Sequence, residues 1–129
     1  MAKGIQYLLE QQKSNGLIGR DDGHYMYNHA VAALALMECH IMTKEERFGA
    51  PVSSAVAFSV AAQNETGGWG YRYRDRANDT SVGGWQIFLL RLAFSTGNRS
   101  VIPALNQAGD RVSLMTDDEG RVGYRARFQ

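Results

Sequence analysis

The sequence predicts an all-α fold of stacked helical hairpins, and three observations carry that prediction. Long apolar segments rich in Ala, Leu, Val and Met alternate with short, polar, Gly-rich connections. Strand-type alternation is confined to the short run GYRYR at 70–74. The connections also share one pattern. QKSNGLIGR from Gln12, QNETGGWGY from Gln63 and TDDEGRVGY from Thr116 each read as a polar residue, three positions, Gly, any residue, an apolar residue and Gly. Their starts lie 51 and then 53 residues apart. A recurrence of that length marks an array of repeated supersecondary units, each burying its apolar face against the next.

The first segment, IQYLLEQQ, places Ile5, Leu8, Leu9 and Gln12 at i, i+3, i+4 and i+7, one stripe of a helix. Residues 29–42, HAVAALALMECHIM, are apolar nearly all round, as in a helix buried on most sides. Thr43 with Glu46 gives a capping-box pattern for a short turn. Pro51 then suits the first helical position of 51–63, where its missing N–H costs nothing. Residues 81–97 are again mostly apolar and stop at Gly97. Pro103 stands in the last segment, 101–115, where Pro51 stood in the earlier one, and GYRAR at 123–127 echoes GYRYR. The whole chain, 1–129, reads as a single domain of two and a half repeats, about 1–43, 44–97 and 98–129.

Repetition makes each connection a structural joint before it is anything else. Gly67 and Gly70 permit positive φ where a helix ends and the chain reverses, and Gly16 is the matching glycine of the first joint. Gln12 and Gln63 can hydrogen-bond backbone groups that the helix ends leave unpaired. Trp69 can cover such a joint while its indole N–H finds an acceptor.

Composition removes several function classes. The net charge of +1 gives no electrostatic reason for nucleic-acid binding. The longest uncharged run, 48–64, holds Pro, Gly and Ser and does not suit a transmembrane span. The opening MAKGIQYLLEQQKSNG lacks the apolar stretch of a secretory signal, so a soluble protein is expected, with its compartment open. The lone Cys39 permits no internal disulfide and reads as a buried, inert thiol. Ser-His-Asp, phosphate-loop and dinucleotide fingerprints are missing from the sequence, and no cofactor is expected.

The run Gln63–x3–Gly67–x–Trp69 resembles the QW motif of the squalene/hopene cyclase and prenyltransferase (squalene oxidase) repeat family, and Gln12–x3–Gly16–x–Ile18 is similar to a degenerate copy. DTSVGGWQIFLLRLA also looks like a stretch of that repeat, and the resemblance covers nearly the whole chain. It implies an α/α toroid, in which inner and outer helices alternate around a central cavity. Five main helices are too few to close such a ring. A partial ring is therefore implied, completed by association with itself, as a homo-oligomer, or with another chain. The apolar faces of 29–42 and 81–97 fit that need.

Family cyclases of this type protonate an alkene from an acidic D-x-D-D-T motif at the start of an inner helix. The matching stretch here is Arg76–Ala77–Asn78–Asp79–Thr80. Asp79 is the surviving acid and the candidate catalytic residue, but Asn78 replaces the central acid and cannot supply a proton. Asp79 or Thr80 also suits the N-cap of the following helix. Family prenyltransferases hold zinc with Asp, Cys and His. Here His24, His29, Cys39, His40 and Asp79 have no ligand spacing, so no metal is expected, and His29 reads as a hydrogen-bonded histidine at a helix start. Asp21/Asp22 and Asp117/Asp118/Glu119 could serve a carbohydrate-active toroid, but they also suit turns.

The best binding signal is a rim of arginines and tyrosines. Arg20, Arg72, Arg74, Arg125 and Arg127 each follow a joint, in the company of Tyr25, Tyr27, Tyr71, Tyr73 and Tyr124. Such a rim, with Trp85, can take a small apolar or anionic ligand, or the arginines can tie the joints by pairing with Asp21, Asp22, Asp75 and Asp79 or stacking on the tyrosines. The leading expectation is a non-catalytic binding or assembly module. The alternatives are an enzyme or enzyme fragment acting on an isoprenoid, with Trp69, Trp85, Tyr73 and Phe88 lining its pocket, and a carbohydrate-active toroid.

Overall fold

A computed structural model describes residues 2–125. The chain forms five α-helices: α1 (Ala2–Glu10), α2 (Tyr25–Thr43), α3 (Gly49–Ala62), α4 (Thr80–Ser95) and α5 (Ile102–Met115). Short 3₁₀ turns at Glu46–Phe48 and Arg99–Val101 lead into α3 and α5. No β-strand forms among the described residues; two isolated bridges, Gln12 to Ile18 and Thr116 to Val122, pinch two of the joints shut. The fold is all-α.

The helices stack in two layers. α2 and α4 lie side by side, α3 packs on both, α5 packs on α4 and α1 on α2. Met26, Leu36, Met37, Val56, Leu89 and Leu90 fill the seam with almost no exposure. Each such side chain contributes about 1.5–3 kcal/mol by leaving water. The near-continuous apolar character of α2 and α4 follows from this sandwiching, since each faces more than one neighbour. α1 differs: none of its residues is buried, and Ile5, Leu8 and Leu9 only rest against the core.

Several boundaries depart from the expectations, each for a local reason. α2 starts at Tyr25, before His29, because the Met26 N–H of its first turn finds the Tyr71 carbonyl at 3.2 Å. Thr43 is not a cap for the next turn. It is the last residue of α2, and its hydroxyl donates back to the Cys39 carbonyl at 2.7 Å. α3 already begins at Gly49, so Pro51 sits inside its first turn. α4 ends at Ser95, and Gly97, with φ of 100°, turns the chain just beyond.

The three joints are built alike. The N–H of the second joint residue donates to the carbonyl of the sixth in each: Lys13 to Leu17 at 2.7 Å, Asn64 to Gly68 at 2.9 Å and Asp117 to Arg121 at 2.9 Å. The joint glycine donates back to that same second residue, at 2.9, 3.1 and 3.0 Å, with φ of 97° at Gly16, 88° at Gly67 and 83° at Gly120. The glutamines then tie joint to neighbouring helix. Gln12 Nε2 donates to Gly16 O at 3.1 Å and Pro51 O at 2.8 Å. Gln63 Nε2 donates to Gly67 O at 3.0 Å and Ala104 O at 2.9 Å. Trp69 is 1% exposed and its Nε1–H meets Ser59 O at 2.8 Å. Gly70 does not adopt positive φ, contrary to expectation; a Cβ there would lie 2.5 Å from Ala77 O and 2.8 Å from Asp75 Cβ, so it is crowding that favours glycine.

Gln63→Leu is expected to remove both bridging donors without changing the helices. The loss is about 1–3 kcal/mol, because two part-buried carbonyls lose a partner. A lowered urea midpoint at unchanged slope checks it.

Candidate functional site

The joints meet the first turns of α2 and α4, and they do so in register. Tyr71, after the second joint, offers its carbonyl to Met26 N–H; Tyr124, after the third, offers its carbonyl to Thr80 N–H at 3.0 Å. Thr80 answers through its hydroxyl, which donates to Gly123 O at 2.6 Å. The same two tyrosines share a hydrogen bond between their hydroxyls at 2.9 Å. His24 lies edge-on to the Tyr71 ring, with centroids 4.8 Å apart.

Asp79 anchors this cluster. It is the N-cap of α4, and its Oδ1 accepts from Val82 N–H at 3.0 Å and from the Ser81 hydroxyl at 2.5 Å. Its Oδ2 accepts a short hydrogen bond from the Tyr124 hydroxyl. Its own N–H donates to Trp69 O at 2.9 Å. Burial alone would raise the carboxyl, but the donors from Ser81, Tyr124, Tyr71 and the Val82 backbone outweigh it and hold the group down to about 2. The hydrogen bond to Tyr124 and the Asp79 carboxylate in turn push the Tyr71 hydroxyl well above its ordinary range.

The four aromatic residues of the isoprenoid alternative are not brought together. Trp85 and Phe88 are exposed on α4, and Trp85 meets Tyr27 of α2 edge-to-face at 6.2 Å. Trp69 is sealed inside the second joint. Tyr73 tilts against Phe58 of α3 at 5.7 Å.

The arginines follow the joints as expected, but they do not pair with the aspartates. Among the described residues Arg20, Arg72, Arg74 and Arg125 make no ion pair, whereas Arg76 approaches Glu65 at 3.5 Å. Arg74 and Arg125 lie over the rings of Tyr73 and Tyr124, at 5.7 and 5.8 Å. Arg74 also donates from Nε to Ala61 O at 3.0 Å, with its backbone at φ of 53°. Arg72 lies beside Gly23, so the first and second joints adjoin as the second and third do through Tyr71 and Tyr124. Arg127 lies outside the described residues.

The acidic pairs stay in their turns. Asp22 Oδ1 accepts from His24 N–H at 3.0 Å, and Asp117 accepts from Glu119 N–H, Arg121 N–H and Arg121 Nε. Cys39 is half-buried rather than buried, and His40 Nδ1 lies 3.2 Å from Glu45 O. Among the described residues no three His, Cys, Asp or Glu side chains gather to hold a metal. No helix is long and apolar enough to cross a membrane.

His29 is fully buried, and both ring nitrogens are occupied: Nδ1 accepts from Ile18 N–H at 3.0 Å and Nε2–H donates to Ala55 O at 3.0 Å. Burial lowers its pKa from 6.5 to about 4, against the raising effect of the Ala55 hydrogen bond. A second ring proton would also confront the Ile18 N–H. The unfolded chain therefore binds the proton more readily across this window. Stability is full above pH 6.5 and falls as the pH drops from 6.5 towards 4, by a total of about 3 kcal/mol. Urea midpoints at pH 7 and pH 4.5 test this, and the His29 ring signals should stay those of the neutral form down to pH 5.

Two features escaped the sequence reading. One is the Asp79–Tyr124–Tyr71 cluster, for which the repeated Gly-Tyr-Arg was the available signal. The other is the Asn64–Asn78 pair, whose side-chain amides meet at 2.6 Å while Asn64 Nδ2 donates to Asp75 O at 2.7 Å, pinning the long second connection. Comparison of the chain with protein-family models, with curated proteins and with solved structures found no match.

Proposed function

We propose that this chain is a non-catalytic binding or assembly module of the squalene-cyclase/prenyltransferase repeat type, a partial α/α ring that associates with a second chain. The observation that carries the reading is the commitment of Asp79. An alkene is protonated only by a strong, undissociated acid facing it. Asp79 is instead an anion by a wide margin, spent on the first turn of α4 and on Tyr124. The residues conserved in pattern from joint to joint likewise have structural work, as the matched hydrogen bonds of Gln12 and Gln63 illustrate.

One observation favours the isoprenoid reading. Asp79 also borders an apolar pocket with Gly83, Gly84, Ile87, Val112 and Met115. That pocket measures about 180 Å³, below the roughly 300–1,000 Å³ typical of small-molecule sites. The test is incubation of the protein with isoprenoid diphosphates and squalene, followed by mass spectrometry. No product is expected. A product made by the natural chain and lost in a folded Asp79→Asn variant would overturn the module reading.

A further inference from the structure

The helices that lead into the three joints, α1, α3 and α5, stand in one register. Ser54 of α3 lies nine positions before Gln63, and Gln107 of α5 lies nine before Thr116. Both press on the joint before their own. Ser54 O stands where a Cβ on Gly16 would have to lie, and Gln107 O is 2.5 Å from the same point on Gly67. The next position is small and sealed in each helix, Ala55 in α3 and Ala108 in α5. One turn on from Ser54, Phe58 Cβ lies 3.2 Å from that point on Gly16. Each of the first two joints is thus covered by the helix that leads into the following joint, and its glycine is buried.

The two ends of the chain each expose one half of this contact. The third joint has the same hydrogen bonds and the same positive φ. Its Gly120 is nevertheless exposed, and a Cβ there would meet nothing within 4 Å among the described residues. Val122 is 41% exposed, against 1% for Ile18 and Trp69 at the matching place. The helix half is on α1. Lys3 lies nine positions before Gln12, Gly4 takes the place of Ala55 and Ala108, and Tyr7 takes that of Phe58. No residue of α1 is buried, and Tyr7 is 54% exposed, against 7% for Phe58. Repeat arrays that stop at a free end carry a polar outer face there, which neither of these ends has.

We infer that copies of this chain associate head to tail, α1 of one copy seated on the third joint of another in the register that α3 and α5 keep on the first and second. The register names the occupant. Of the three helices that lead into joints, α3 and α5 already cover joints of their own chain, and α1 is the one whose matching face is bare. Charge favours the same pairing: the third joint holds Asp117, Asp118 and Glu119 against Arg121 alone, and Lys3 would come down on Gly120 among them. Thr116 stands where Gln12 and Gln63 stand, and its hydroxyl turns back to Val112 O at 2.6 Å. The contact therefore lacks the glutamine tie of the internal joints and is the weaker, reversible member of the series. It uses a different patch on each partner, so it closes a ring or extends a chain. The inference rests on the assembly reading above and names its partner and its surfaces.

Complementation between two blocked variants tests it by sedimentation equilibrium. Gly120→Asn puts a side chain under the incoming helix; asparagine tolerates the left-handed backbone, and the space is open in the single chain. Gly4→Leu overfills the small position of α1, where a Cβ meets nothing within 4 Å. Both variants should fold, with melting temperatures within a few degrees of the natural chain's at low concentration. The natural chain at tens of micromolar is expected to exceed the single-chain mass. Each variant alone should associate at least ten-fold more weakly. An equimolar mixture should recover dimers and nothing larger, since one variant keeps its joint and the other its helix. A natural chain that stays monomeric, variants that associate as the natural chain does, or a mixture that associates no better than its parts would overturn the inference. A monomer that turns over no isoprenoid would do so while leaving the assembly reading to another partner, whereas Asp79-dependent turnover would remove that reading whatever the mass.

Discussion

Gly67→Ala is expected to cost about 3 kcal/mol and to lower the melting temperature by about 10 °C, from a single added methyl group. Two effects combine. The backbone at Gly67 has φ of 88°, where a side chain introduces about 1–2 kcal/mol of strain. The new Cβ would also lie 2.5 Å from Gln107 O and 3.0 Å from Gln107 C. Those atoms belong to the backbone of α5, so they cannot turn aside as a side chain could. Gly16 faces the same obstacle in the preceding unit, with Ser54 O at 2.2 Å from its virtual Cβ, and Gly16→Ala should be at least as severe. Gly109→Ala is the control. It adds the same methyl to a helix in open space and should stabilise the folded chain by up to about 1 kcal/mol. Thermal unfolding of the three variants decides the matter, and a tolerated Gly67→Ala would show that the joint does not press on α5.

Trp69→Ala should be the more damaging change, at about 3–5 kcal/mol. The indole is 1% exposed, packs with the core of α2, α3 and α4, and donates to Ser59 O at 2.8 Å. Its removal opens a cavity too deep in the joint to collapse and strips a buried carbonyl of its partner. Trp69→Phe separates the two contributions. It retains most of the apolar volume and loses the hydrogen bond, so about 1–2 kcal/mol is expected. Urea unfolding of both variants reads the difference. Equal effects would mean that packing contributes little beyond the indole N–H.

The helices and joints were legible because both are written locally. Apolar segments long enough for a helix, and a polar–Gly–apolar–Gly pattern repeated three times, leave few other solutions. Gln63 could be assigned to its joint for the same reason, although its second acceptor, Ala104 O, lies on a helix forty-one positions away. What depends on distant partners was not legible. The early start of α2 reflects a carbonyl supplied by Tyr71, and Thr43 was misplaced because its hydroxyl turned back to Cys39. The joints were visible as a pattern, but the convergence of Tyr71, Tyr124 and Asp79 at one helix start needed three segments to be folded together. The arginines illustrate the converse. Their positions after each joint were clear, but the aspartates near them in sequence are already held by turn and cap hydrogen bonds, so stacking on tyrosine prevails.

The carbonyls that Tyr71 and Tyr124 lend to α2 and α4 give the array a direction. Each unit is finished by the one that comes after it, as each slate on a roof is held down by the course laid over it. Loosening the segment around Tyr124 would leave the head of α4 open, and the damage would travel back towards the amino terminus more readily than forward.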